Sequence, residues 1–109
     1  MIAITRIRIS KNKIFLGKGV KELLDAIEEF HSIKKATEAT GISYPKAIRM
    51  LKTLEQELGY PAVISEKGGH DRGGTQLTKE GKDMLERYRK IEKKVEEFAQ
   101  SLVDIEFPD

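Results

Sequence analysis

Residues 41–78, GISYPKAIRMLKTLEQELGYPAVISEKGGHDRGGTQLT, carry most of the information about the fold of this chain. Gly41 suits the left-handed position that ends a helix, and Ser43 is a good N-cap for the next one. The helix that follows repeats apolar residues at helical spacing, namely Ala47, Ile48, Leu51, Leu54 and Leu58. This spacing leaves the opposite face to Lys46, Arg49, Lys52, Thr53 and Gln56. The segment therefore predicts two helices joined by a tight turn, the second with a basic solvent face.

A glycine-rich hairpin follows this helix. Gly59 and Pro61 end the helix, residues 62–64 and 75–77 have strand character, and residues 68–74 form the loop between them. A hairpin that serves only stability would use a two-residue turn. A long loop that carries Lys67 and Arg72 favours contact with a nucleic-acid backbone, and a solvated loop is the alternative.

The residues before Gly41 complete a small domain. Alternating β-branched residues predict a strand over 2–9 and a second over 13–16, and a helix is predicted over 20–30. Ser32 is the expected N-cap of the next helix, in which Ile33, Ala36 and Ala39 recur every three residues. The fold class is mainly α with small β (α+β), a winged helix-turn-helix with an N-terminal β-hairpin. We expect one domain over 1–109, with the hairpin, helix-turn-helix and wing in about 1–78.

The predicted last helix, about 79–105, carries a heptad seam. Its apolar positions alternate in steps of four and three: Leu77, Gly81, Met84, Tyr88, Ile91, Val95, Phe98, Leu102 and Ile105. The first half is expected to pack on the domain, which cannot cover the whole seam. Ile91, Val95, Phe98 and Leu102 are then left for a partner. A homodimer is the economical explanation, and a helix that folds back is the alternative.

Charge is segregated along the chain although the net charge is only +2. Residues 1–21 contain six cations and no acid, and residues 32–54 contain five cations and one acid. Residues 22–31 and 83–109 are net acidic. This distribution places positive potential at the predicted helix-turn-helix, where a polyanion is the natural partner.

Several function classes find no support in the sequence. The chain has no cysteine, which excludes disulfides and thiolate metal sites. No apolar run approaches the ~18 residues of a membrane span, so we expect a cytoplasmic chain without membrane contact. The loop after Lys67 has glycines at phosphate-loop spacing, but it lacks the lysine and leads to a strand. His31 and His70 stand alone, and no catalytic set is apparent. We therefore expect no enzyme, no metal and no cofactor.

The candidate DNA contacts lie on the third helix and the loop. Lys46, Arg49 and Thr53 face the predicted groove side, with Ser43 and Tyr44 at the helix start. Tyr44 can contact a base or a phosphate, or it can cap the core beneath Ile42. The wing adds Lys67 and Arg72.

Three segments resemble one known family. SIKKATEATGISYPKAI, EKGGHDRGGTQLT and LTKEGKDMLERYRKIE occur in the same order in the N-terminal DNA-binding domain of ModE-type molybdate-responsive transcription regulators, relatives of the LysR-type winged helix. The resemblance covers about residues 3–100. It implies a homodimer on double-stranded DNA, joined through the N-terminal strands and the last helix. Ser43, Tyr44, Lys46 and Arg49 would lie at the DNA, with Lys67 and Arg72 on the wing.

The resemblance does not extend to effector binding. ModE-type sensors carry C-terminal oxyanion-binding domains, and with the sequence ending at Asp109 we expect no such pocket. A separate effector or sensor protein is left open. Two rival functions also stay open at this point, a protein-interaction module built on the last helix and an architectural protein that binds DNA without sequence preference.

Overall fold

The computed structural model describes residues 1–65 and 74–109 as four helices and two small antiparallel sheets. In chain order the elements are β1 (Ile9–Ser10), β2 (Ile14–Leu16), α1 (Lys18–Phe30), α2 (Ile33–Thr40), α3 (Tyr44–Leu58), β3 (Val63–Ser65), β4 (Thr75–Leu77) and α4 (Lys79–Glu106). β1 pairs with β2, and β3 pairs with β4. The helix-rich α+β winged-helix fold class is confirmed.

Helix boundaries follow local capping chemistry. Ser32, Ser43 and Thr78 each accept a hydrogen bond from the backbone N–H three residues later, at 3.1, 3.3 and 2.9 Å. Each bond satisfies one donor that the helix itself leaves unpaired. Gly41 ends α2 with φ 77°, a backbone conformation that residues with a Cβ atom rarely adopt. The tight α2–α3 turn therefore follows from residues 40–43 themselves.

The core lies between the first three helices, β2, β4 and the first turns of α4. Leu23, Leu24 and Ile27 of α1 are completely buried, and so are Ala47 and Leu54 of α3. Other buried apolar side chains are Leu16, Ala26, Ile33, Ala36, Leu51, Ala62, Leu77, Met84, Leu85 and Tyr88. Since α1 contributes four of these residues, it is the element around which α2, α3 and the wing strands pack.

Three apolar side chains of the predicted helices are exposed. Phe30 and Ile48 have 39% and 38% of their surface accessible, and Ala39 is also exposed. Phe30 is the last residue of α1. Ile48 lies one residue, or about 100°, away from Ala47 around α3, outside the stripe that Ala47, Leu51 and Leu54 form.

The strand predicted over 2–9 is wrong for residues 2–8. These residues alternate in exposure, but β1 begins only at Ile9, where the pairing with β2 starts. Within the described ranges the segment pairs with no strand and lies along α4 instead. The Ala3 N–H donates to Gln100 Oε1 at 2.9 Å, and the Tyr88 hydroxyl donates to the Ile7 carbonyl at 2.6 Å.

α4 begins on the domain and then leaves it. Gly81, Met84, Leu85 and Tyr88 are buried, as predicted for the first half of the seam. Arg89 forms an ion pair with Asp25 of α1, which fastens this half to the core. Beyond Glu92 most side chains of α4 are exposed or only half-buried.

Candidate nucleic-acid interface

α3 presents a polar face that starts at a capped N-terminus. Tyr44 is 48% exposed, Lys46 and Arg49 are exposed, and Thr53 is half-buried. Positions 46, 49 and 53 fall on one side of a helix. Within the described ranges neither Lys46 nor Arg49 forms an ion pair. Their charges are therefore available to an external anion.

Glu57 fastens the C-terminal end of α3 to the N-terminal hairpin. Its Oε1 accepts hydrogen bonds from the backbone N–H groups of Lys13 and Asn12, at 2.6 and 2.7 Å. These two N–H groups, that of Lys13 first, lower the pKa of the Glu57 carboxyl from its ordinary value of 4.5 because they favour its charged form. The hairpin turn is thereby tied to α3.

Glu55 ties the same end of α3 to the wing. Its Oε2 accepts from the Ala62 N–H at 2.8 Å and from the Val63 N–H at 3.3 Å. Neither Glu55 nor Glu57 is recognisable from the sequence as an orienting residue, since a glutamate near the end of a helix has many possible partners. Both carboxylates orient the elements that flank the exposed face of α3.

The base of the wing is anchored on α1 and α4. The Thr75 N–H donates to the carbonyl of His31, the left-handed residue that ends α1, at 2.8 Å. The Thr78 hydroxyl donates to the Pro61 carbonyl at 2.7 Å. The loop residues Lys67 and Arg72, and His70 with them, lie outside the described residues.

An open groove of about 820 Å³ separates the N-terminal segment from α3. It is lined by Arg6, Arg8, Lys18, Lys46 and Arg49, together with Thr53 and a floor of mainly apolar residues. The excess of cations in residues 1–21 is visible in the sequence, but it assigns no role to Arg6, Arg8 and Lys18. Only the fold brings these three residues beside α3.

The outer half of α4 exposes the part of the seam that the heptad spacing assigns to a partner. Phe98 is 67% exposed, Ile91 and Leu102 are exposed, and Val95 is half-buried. The described N-terminal segment contacts Gln100, on a different side of the helix. The described part of this chain thus leaves the outer seam largely uncovered.

The described residues show neither a metal cluster nor a membrane span. In residues 1–65 and 74–109 no group of three or more His, Asp or Glu side chains is placed to hold a metal ion. None of the helices described is long and apolar enough to cross a bilayer.

Residues 21–82 match the family of bacterial regulatory helix-turn-helix proteins of the lysR type. The chain belongs to this family. The match runs from α1 through the wing to the first turn of α4, and it leaves out the N-terminal hairpin and the outer part of α4. Membership identifies residues 21–82 as a regulatory helix-turn-helix domain.

A curated relative supports the narrower resemblance. The chain is 37% identical over 70 residues to the molybdenum transport protein ModE of Azotobacter vinelandii. The aligned stretch is 64% of this chain but 26% of the relative's length. The similarity to ModE-type regulators is thus confirmed for the DNA-binding domain.

Proposed function

We propose that the protein binds double-stranded DNA as a homodimer and reads a specific site with α3 in the major groove. The observation that carries this proposal is the exposed face of α3, where Lys46 and Arg49 lack ion-pair partners in the described structure. A cation on such a face reaches guanine O6 and N7, while Thr53 can contact either base type. Ser43 and Tyr44, at the helix start, would contact the DNA backbone or a thymine methyl group.

The wing is proposed as the second point of contact. Its strands leave the domain beside the first turn of α4, and Lys67 and Arg72 belong to the stretch of sequence that joins β3 and β4. Lysine and arginine contacts to phosphates position a protein on the duplex but carry no base information. The wing would therefore add affinity for all sequences alike.

Dimerisation is proposed through the outer half of α4. Ile91, Val95, Phe98 and Leu102 continue the four–three spacing of the buried half, and three of them are exposed. A contiguous apolar stripe of this kind is typical of a helix that pairs with another. Two copies would each contribute an α3, as a two-fold symmetric operator requires.

Selection of binding sites from a random-duplex pool, at low and at near-physiological salt, tests the proposal. We expect enrichment of a palindrome with half-sites about one helical turn, ~34 Å, apart. Binding without enrichment would contradict sequence-specific reading and indicate an architectural protein. Failure to bind at low salt would contradict DNA binding altogether and favour the protein-interaction module.

A further inference from the structure

We propose that Arg6, Arg8 and Lys18 form a second DNA anchor, which holds the sugar–phosphate strand beside the major groove occupied by α3. The inference rests on the proposed function and extends its contact surface to residues that precede the family match, which begins at residue 21. The groove between the N-terminal segment and α3 carries the argument.

The groove is continuous from the N-terminal segment to α3. A Cβ on Gly17 would lie 3.2 Å from Arg8 Cγ, so the Arg8 side chain crosses the turn before α1. A Cβ on Gly19 would lie 3.5 Å from Met50 Cε, so the start of α1 adjoins α3. Arg8, the first turn of α1 and α3 thus form one surface.

The charge of this surface is of one sign. The five cations lining it are exposed, and none of the described residues that line it is acidic. Arg6, Arg8, Lys46 and Arg49 form no ion pair in the described structure, and Lys18 approaches Glu22 only at 4.0 Å. The first turn of α1 also lacks an acidic residue. Among the described residues, Lys18 is thus the one cation of the groove with an acidic partner, and the groove keeps a net positive charge.

Because the cations of the groove are exposed to solvent, a polyanion is a better ligand for it than a small anion. A single exposed ion pair in water contributes little to binding, so a free oxyanion would gain little from solvated arginines. A duplex gains from each phosphate neutralised, because condensed counterions are released. The apolar floor, which includes Phe15 and Met50, suits the faces of deoxyribose rings. The groove is also continuous with Lys46 and Arg49, which the proposed function already places on DNA.

The test compares two double variants of the full chain that lose equal charge. R6Q/R8Q replaces the two arginines that the N-terminal segment contributes to the groove by uncharged polar side chains. K90Q/K94Q removes two exposed cations of α4. Affinity for a duplex is measured against salt concentration. R6Q/R8Q should reduce the slope of log affinity on log salt by about 0.9 for each phosphate that is no longer neutralised, or about 1.8 per protomer. K90Q/K94Q should retain the wild-type slope.

A charge-retaining variant and a footprint exclude indirect effects. R6K/R8K should restore most of the slope, which a loss of folding or assembly would not allow. Hydroxyl-radical footprinting should show that R6Q/R8Q loses protection of sugars next to, and distinct from, those affected by Arg49→Ala. Circular dichroism and sedimentation of R6Q/R8Q should match the wild type.

Two results would overturn the inference. The first is a slope for R6Q/R8Q equal to that of K90Q/K94Q, while Arg49→Ala still weakens binding; the proposed function would then stand without the second anchor. The second is saturable binding of inorganic phosphate to the DNA-free protein that R6Q/R8Q abolishes, which would assign the groove to a small oxyanion. If the wild type bound no duplex, the proposed function itself would fail.

Discussion

At the residue scale, Gly81 controls how closely α4 approaches the wing. A Cβ at this position would overlap the Ala62 carbonyl oxygen and would lie 3.1 Å from Thr78 Oγ1. Gly81→Ala should therefore destabilise the protein by about 1–3 kcal/mol, because backbone cannot move aside as a flexible side chain can. Urea denaturation measures the effect. Gly19→Ala is the matched control, expected to be neutral or slightly stabilising, and an equal loss in both variants would contradict the packing argument.

Arg49 is the residue on which specific reading should depend most. It is exposed in the middle of the α3 face and forms no ion pair in the described structure. Arg49→Ala should weaken binding to the selected operator by roughly 1–3 kcal/mol and relax the preference at one base pair. Lys90→Ala, on the exposed part of α4, should leave the affinity for the operator and the base preference unchanged. Retained sequence preference in Arg49→Ala would show that α3 does not read the site.

At the scale of elements, Glu57 joins the hairpin to α3 in a pH-dependent way. Because the Lys13 and Asn12 N–H groups lower its pKa in the folded state, the charged carboxyl stabilises the fold above the ordinary value of 4.5. This contribution is lost as the pH falls below 4.5 and through the folded-state value. Glu57→Gln should thus be less stable than the wild type at neutral pH, and the difference should shrink on acidification. Denaturation curves over a pH series measure it.

The control for this pH dependence is Glu28→Gln, which removes an exposed carboxylate of α1. Its stability should follow that of the wild type over the same pH series. A constant difference between Glu57→Gln and the wild type at every pH would mean that the carboxylate charge does not hold the hairpin.

The wing is the element proposed to contact phosphates. Lys67→Ala combined with Arg72→Ala should weaken binding to operator and unrelated duplexes by the same factor, because phosphate contacts carry no base information. The salt slope should fall by about 0.9 for each phosphate that the loop neutralises in the wild type. Titration of both duplexes over a range of salt measures this. Weaker binding of the operator alone would instead assign base contacts to the loop, and an unchanged slope would make it a solvated loop.

At the scale of the whole molecule, assembly should depend on the outer seam of α4. Phe98 is 67% exposed in the single chain, and a dimer would bury it against its copy. Phe98→Asp should shift the protein to monomer in sedimentation equilibrium and weaken operator binding, since one protomer reaches a single half-site. Lys90→Asp is the control: it changes the charge of α4 more than Phe98→Asp does, but it lies outside the seam and should remain dimeric. Dimeric sedimentation of Phe98→Asp would contradict the seam interface.

Much of the helical framework could be predicted because its signals are local. Ser32, Ser43 and Thr78 cap helices as expected, because each side chain accepts a hydrogen bond from a backbone N–H three residues later. Gly41 ends α2 because glycine readily adopts the left-handed conformation. The start of β1 at Ile9 could not be predicted, because a strand extends only as far as it pairs with another strand. The alternation of apolar and polar residues does not show which residues are paired. Ile48 shows the same limit for burial, since the width of a core stripe depends on the neighbouring helices.

Local sequence was sufficient for the order of the helices, the turn between α2 and α3, the cationic face of α3 and the seam of α4. Each of these follows from periodicity or from chemistry within a few residues. Folding in three dimensions was needed to show that Glu55 and Glu57 orient the wing and the hairpin, and that Arg6 and Arg8 join Lys46 and Arg49 around one groove. The contact of the hairpin with Glu57 and the groove between Arg8 and Arg49 each join residues about forty positions apart in the chain. They exist only because packing of α1 brings distant segments together.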